Sequence, residues 1–411
     1  VAGVFHPRRP TCFFVERRVG CWYDRSVGCS GIYLDYNATT PVDPDVFEAM
    51  RPYFCELFGN AASRSHEPGR QALRAVEKAR TQVASLLNCP GEGVIFTSGA
   101  TEADNLALKG IVRASGRRHI ITQATEHKAV LDPCHRLEEE GFELTVLPVD
   151  ATGLVDPDDV RRALRPDTAI VSIMFANNET GTLQPVREIG RITRAAGVPF
   201  HCDATQAVGR VTVDMRADFI DLLSLSGHKL YGPKGVGALC MSCAAPGRLK
   251  GEIDGGGHER GCRSGTLNVP GIVGLGKACE IACLVMETDA AKAARMRNTF
   301  ESAISSRLEG VHIHGHPTLR LPNTTNLRID GIDCESLLLE LPELCFSSGS
   351  ACSSACGGPS HVLSAMGIDP LAAFGSMRIS LGRPTTESQV EQAIEQLCAA
   401  ATRLREMLGT F

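Results

Sequence analysis

Lys229 stands in Ser226-Gly227-His228-Lys229-Leu230-Tyr231-Gly232-Pro233-Lys234-Gly235, a stretch of small and turn-forming residues that follows the apolar run Phe219 to Leu225. An amine held at a strand end can form a Schiff base with an aldehyde. Asp203 directly follows a second apolar run, Val198 to Cys202. A carboxylate there must cap a helix or meet a cation, because burying it alone is costly. A third run, Gly93 to Phe96, ends in Thr97-Ser98-Gly99-Ala100-Thr101. This turn offers N–H groups around Ala100 and the Thr101 hydroxyl at a helix start, where unpaired donors and the helix dipole favour a phosphate. Singly these are a loop lysine, a helix cap and a turn. Together they are the parts of a pyridoxal phosphate site, with Asp203 keeping a ring nitrogen protonated.

Other strand ends add His127, in Thr125-Glu126-His127-Lys128, and the group Asn177-Asn178-Glu179. The run Ser347-Ser348-Gly349-Ser350-Ala351-Cys352-Ser353-Ser354-Ala355-Cys356-Gly357-Gly358 holds no residue large enough to pack a core. A mobile, exposed loop is expected there, and access favours reaction at the Cys352 thiol; an inert loop thiol is the alternative. Arg383, in Ser380-Leu381-Gly382-Arg383, suits a substrate carboxylate or an ordinary surface ion pair. The Ser98–Thr101 turn lacks the lysine of a P-loop, and Gly271, Gly274 and Gly276 miss the G-x-G-x-x-G spacing, so neither ATP nor a dinucleotide is supported. Cys240 and Cys243 lack the second pair that zinc needs, and Cys12, Cys21 and Cys29 fit no zinc spacing; no metal is expected.

These residues need rigid elements behind them. From Ile32 onward, short apolar runs alternate with helical patterns, the signature of βαβ units on a mainly parallel sheet and of the α/β class. Glu102 to Lys109 reads as helix, and His119 to Thr122, Ala169 to Phe175 and Val236 to Met241 as further strands. After Leu284 an Ala-, Met- and Arg-rich pattern predicts a connecting helix, followed by a smaller unit of strands and helices.

The chain has 411 residues, 22% charged and 43% hydrophobic, with formal net charge -5, values of an ordinary globular protein that give no reason to expect direct nucleic acid binding. No apolar run is read as approaching the ~20 residues of a membrane span. Seventeen cysteines, odd in number and scattered, predict reduced thiols in the cytoplasm. Residues 1–31 carry Arg8, Arg9, Arg17, Arg18 and Arg25 without apolar periodicity and are expected to be a flexible extension. Phe13-Phe14-Val15 is too short for a secretory core, and Glu16 and Asp24 weaken a transit-peptide reading. Deleting the extension is expected to leave activity unchanged, and Trp22 within it to emit as a water-exposed indole.

From Ile32 to Met407 the chain resembles the cysteine desulfurases of the NifS/IscS type, pyridoxal phosphate enzymes of the aminotransferase fold. The resemblance rests on LDYNATTPVDP (34–44), FGNAASRSH (58–66), FTSGATEADNLALKG (96–110), TEHKAVLD (125–132), SGHKLYGPKGVGAL (226–239), GGGHERGCRSGTLNV (255–269) and SSGSACSS (347–354). The last motif resembles the first of the family's two groups, whose cysteine rides a long mobile loop. The resemblance implies a fold type I large domain over 32–286 with a seven-stranded, mainly parallel sheet, and a smaller α+β domain over 287–411 joined by an entry strand at 32–36. It implies that Lys229 carries the cofactor, Asp203 pairs with the ring nitrogen, His127 stacks on the ring and transfers protons, and Gln206 faces the ring hydroxyl. Ala100, Thr101, Ser226 and His228 would hold the phosphate, with Thr266 reaching in from a second subunit of a homodimer. Asn178 and Arg383 would hold the substrate carboxylate. Cys352 would take the sulfur of L-cysteine as a persulfide, leave L-alanine, and pass the sulfur to an acceptor protein of iron-sulfur assembly or thiolation.

Cys356 is an extra thiol for such a loop, open to accepting the sulfur or to a disulfide with Cys352. Two rival functions remain at this level: a selenocysteine lyase of the same fold, and a non-catalytic thiol or iron-sulfur carrier in which Lys229 is idle.

Overall fold

The computed structural model describes residues 31–242, 249–349 and 359–408. Cys352, Cys356, Cys243, Trp22 and all of the expected extension but Gly31 lie outside them. In chain order the strands are β1 (Ile32–Tyr33), β2 (Val94–Thr97), β3 (His119–Gln123), β4 (Glu143–Leu147), β5 (Thr168–Ser172), β6 (Phe200–Asp203), β7 (Leu222–Ser226), β8 (Gly237–Met241), β9 (Val311–His314), β10 (Thr324–Ile329), β11 (Leu344–Cys345), β12 (Ser347–Ser348) and β13 (Ser376–Ser380).

Seven of them form one sheet in the order β2-β8-β7-β6-β5-β3-β4, parallel except for β8, which runs antiparallel to both neighbours. Strands β2, β3, β5, β6 and β7 are buried along their whole length, as expected where helices cover both faces. The sequence reading missed β4. It is an edge strand in which only Leu147 is buried, so it carries no continuous apolar run. The carboxyl ends of β2, β3, β5, β6 and β7 open on one edge; Asp203 ends β6, and Ser98 to Thr101, His127, Asn177 to Glu179 and Lys229 follow the others.

A four-stranded antiparallel sheet, β12-β13-β10-β9, and the parallel pair β1-β11 build a second apolar core that includes Leu34, Phe300, Leu327, Met377 and Leu397. One helix, Val269–Arg307, serves both cores. Its Ile272, Leu275 and Ile281 pack under the large sheet, and its Met296, Phe300 and Ile304 pack in the second core.

This helix starts well before Leu284, and the glycines at 271, 274 and 276 lie inside it. Their role is close packing. A Cβ on Gly276 would stand 2.6 Å from Ala79 Cα of the helix Glu67–Leu87, and one on Gly274 would stand 2.5 Å from Met50 Sδ. By length and composition the same helix is apolar enough to cross a membrane, and 56% of its apolar 18-residue stretch is buried inside the protein. Lys277 and Glu280 break the run that the sequence reading looked for.

Candidate active site

A cavity of about 700 Å³ opens at the carboxyl edge of the large sheet. At one end it is lined by Ser98, Gly99, Ala100, Thr101, Ser226 and His228. The helix Ala100–Ser115 begins here with Gly99 as its cap, at φ 159° and ψ -178°, and no side chain caps its first turn. Its N-terminal donors are therefore turned to the cavity, the arrangement that receives an anion. Burial lowers the His228 pKa to about 4, with Lys229 adding to the shift, and its Nδ1 lies 3.1 Å from Thr39 Oγ1.

Lys229 follows β7 in a short turn, Gly227–Lys229, and its amine donates to the main-chain oxygens of Ala38, at 2.8 Å, and of Asn37. Asp203, the last residue of β6, is 6% exposed and accepts the Thr205 N–H at 2.9 Å. It caps a turn and faces the cavity at once. Beside it the Thr205 hydroxyl also lines the cavity, and the buried oxygen has no hydrogen-bond partner among the described residues. Asp104 lines it too, fully buried, with His201 Nε2 3.5 Å from Oδ1. Burial first, then the nearby Asp203, pushes the Asp104 carboxyl well above the ordinary range. Burial takes His201 down to about 4. At neutral pH the His201 ring is therefore uncharged.

His127 caps the helix Lys128–Glu139, and its Nδ1 accepts the Ala129 N–H at 3.1 Å. The neutral ring therefore carries its hydrogen on Nε2. Burial lowers its pKa, Asp203 opposes, and Lys229 and His361 lower it further. Gln206 donates from Nε2 to the Asn37 oxygen at 3.1 Å and accepts on Oε1 from Arg210. Because guanidinium only donates, Arg210 sets which way the amide faces.

The structure brings Lys229, Asp203, His127, Gln206, Ala100, Thr101, Ser226, His228 and Asn178 to this one cavity. Thr266 is exposed and lies outside the lining. Arg383 lies outside it as well, bound to Asp43 and Asp289. Among the described residues the arginine that lines the cavity is Arg378, on β13, which the sequence reading passed over. It donates to the Asn178 main-chain oxygen at 3.1 Å, to Asp35 Oδ1 at 2.7 Å and to Ser347 Oγ at 3.1 Å. Asp35, Asn37, Asp104, Thr205 and His201 were missed likewise. For Arg378 a signal existed: a charged residue between the apolar Met377 and Ile379 in a short strand.

Both flanks of the segment that carries Cys352 are tied near the cavity. On one side Ser347 lines it and the Gly349 N–H donates to Ser376 O at 2.7 Å. On the other, the Ser360 hydroxyl donates to Glu179 Oε2 at 2.5 Å and His361 Nε2 lies 2.9 Å from Glu126 O. Residues 126 and 179 are the immediate neighbours of His127 and Asn178.

Residues 32–393 match the family model of the class-V aminotransferases. The chain belongs to this family. It is 50% identical over 379 residues to the cysteine desulfurase IscS of Anaeromyxobacter dehalogenans, covering 92% of this chain and 94% of that protein, which places it among the cysteine desulfurases of the NifS/IscS type. These are pyridoxal phosphate enzymes. Among solved structures of the class-V fold, a NifS-like protein superposes with a TM-score of 0.84 at 36% identity, over 90% of this chain and 99% of that one. SspA in complex with cysteine superposes with a TM-score of 0.76 at 37% identity, over 85% and 98%.

Proposed function

We propose that this chain converts L-cysteine to L-alanine with pyridoxal 5'-phosphate held at Lys229, and carries the released sulfur as a persulfide on Cys352 for a protein acceptor. The observation that carries the reading is that the Lys229 amine, the Asp203 carboxylate and the uncapped start of the helix Ala100–Ser115 meet in one cavity. The donor set fits the group: N–H and hydroxyl donors at the phosphate end, a buried anion for a protonated ring nitrogen, and the amine between them. When bound, the cofactor draws electron density from the α-carbon of the attached amino acid.

The residues divide the remaining work. Ala100, Thr101, Ser226 and His228 hold the phosphate, joined by Thr266 of the partner subunit in a homodimer. Asp203 holds the proton of the ring nitrogen, and Gln206 donates to the ring hydroxyl. Arg378, with Asn178, takes the substrate carboxylate, the place the sequence reading assigned to Arg383. Lys229 takes the α-proton on Nζ, and His127 donates from Nε2. The Cys352 thiolate attacks the substrate sulfur: an S–S bond forms, the C–S bond breaks with its electron pair left on carbon, and that carbon takes up a proton. The division into a cofactor domain over 32–286 and a small domain from 287 belongs to the same reading, supported by the two separate apolar cores.

The test is to supply purified protein with L-cysteine, a reductant and cofactor, and to measure alanine and sulfide together. Equal amounts are expected, with none from Lys229→Ala and a borohydride-fixed cofactor at Lys229 in the wild type. Turnover with selenocysteine but not cysteine identifies a selenocysteine lyase, and no turnover with either identifies a carrier.

A further inference from the structure

Arg383 follows β13 at the edge of the second core, and its side chain is engaged outside the cavity lining. Nη1 donates to Asp43 Oδ2 at 2.8 Å and Nε to Asp289 Oδ2 at 2.7 Å, while the guanidinium lies over the Tyr231 ring, 4.2 Å from its centroid. The Arg383 main-chain N–H donates to the Tyr231 hydroxyl at 2.6 Å. A guanidinium shared between two carboxylates has little charge left for a substrate anion.

Its neighbours lead straight to the lysine. Tyr231, two residues after Lys229, has φ 64°, a left-handed conformation that a bulky residue keeps only when its surroundings impose it. Its N–H donates to Thr40 Oγ1 and its oxygen accepts the Asp43 N–H, both at 2.9 Å. Thr40 in turn donates to His228 O from both its N–H and its hydroxyl at 2.9 Å. The segment 37–43 is thus stitched to the turn 228–231, and the Lys229 amine rests on the Asn37 and Ala38 oxygens of that same segment. Arg383 grips both pieces at once, one through Asp43 and the other through Tyr231.

We propose that Arg383 is the positioning residue of Lys229: by clamping Tyr231 and Asp43 together it keeps the lysine turn in register with segment 37–43 and the amine aimed into the cavity. The contact spans the two cores, because Asp289 belongs to the helix that joins them and Arg383 to the chain leaving β13. Seating of the small unit and orientation of the lysine are then one event. The proposal rests on the reading of Lys229 as the Schiff-base residue.

The experiment uses apoprotein of the wild type, Arg383→Ala, Arg383→Lys, Tyr231→Phe and Asp289→Asn, each loaded with pyridoxal phosphate. Three quantities are read: the rate of borohydride-trapped labelling at Lys229 by mass spectrometry, the pH midpoint of the visible absorption, and the separate kcat and KM for cysteine. Arg383→Ala is expected to label about tenfold more slowly and to shift the midpoint, with kcat falling and KM little changed. Asp289→Asn and Tyr231→Phe move the same way by less, and Arg383→Lys restores part of the loss. Wild-type labelling and midpoint in Arg383→Ala, with KM alone raised, would make Arg383 a carboxylate ligand and overturn the proposal. Should Arg383→Ala fail to fold, Asp289→Asn and Tyr231→Phe decide by the same criteria. If the wild type is not labelled at Lys229, the reading of the lysine fails instead.

Discussion

The Arg378 guanidinium donates to the main-chain oxygen of Asn178 at 3.1 Å, joining the centre of β13 to the loop after β5 at the wall of the cavity. The guanidinium is fully buried and its paired acid is Asp35, at 2.7 Å. A buried fork of this kind presents its remaining N–H edge to a carboxylate in fixed geometry.

Arg378→Lys keeps the charge and loses the fork. KM for L-cysteine is expected to rise about tenfold to a hundredfold, with the cofactor spectrum unchanged. Steady-state kinetics beside an absorption scan check this; an unaltered KM would remove Arg378 from the substrate site.

Asp203→Asn removes the anion from the ring-nitrogen wall while preserving size and the turn cap. Cofactor binding is expected to survive and turnover to fall by about a hundredfold or more, because a neutral amide does not favour the protonated ring. Undiminished turnover would reduce Asp203 to a capping residue.

Cys352→Ser is expected to retain the cofactor and a spectral response to cysteine while sulfide release collapses, since the residues proposed to hold the cofactor ring and phosphate lie on other elements. Cys356→Ser serves as the control. Loss of the persulfide in Cys356→Ser, with Cys352→Ser unaffected, assigns the nucleophile to the other thiol.

Glu179, which holds the Ser360 hydroxyl at the root of the cysteine segment, has its carboxyl raised from 4.5 to about 7, with burial the main cause. A group whose pKa is higher folded than unfolded binds more protons in the folded state between the two values. Stability should therefore be lost as pH rises from about 4.5 through about 7. Glu179→Gln removes that dependence, so its Tm relative to wild type is expected to climb by about 2–5 °C between pH 5 and pH 8. A Tm difference that is flat with pH would contradict a buried, protonated Glu179.

Most of the site was legible because parallel strands buried on both faces read as apolar runs, and the polar residue after each run marks its carboxyl end. Asp203, Lys229, His127, Asn178 and the Ser98–Thr101 turn were found in this way, each from its own neighbours along the chain. Two features could not be read so. The close packing of Gly274 and Gly276 inside a helix is not legible locally, because the Met50 and Ala79 they lie against are remote in sequence. Asp104 and His201 look like ordinary polar residues until the helix Ala100–Ser115 is laid on β6.

The two arginines separate local from tertiary information most sharply. Arg378 and Arg383 stand five residues apart, and both suit an anion by residue type alone. What the sequence determined was that this stretch carries two guanidiniums suited either to an anion or to an ordinary ion pair. Only the tertiary structure chose between them: β13 pairs with β10 and β12 in a register that turns Met377 and Ile379 into the second core. Alternation along a strand then sends Arg378 to the opposite face, toward Asn178 and Asp35. Beyond the strand end that alternation stops, and Arg383 goes instead where Asp43, Asp289 and the Tyr231 ring draw its charge.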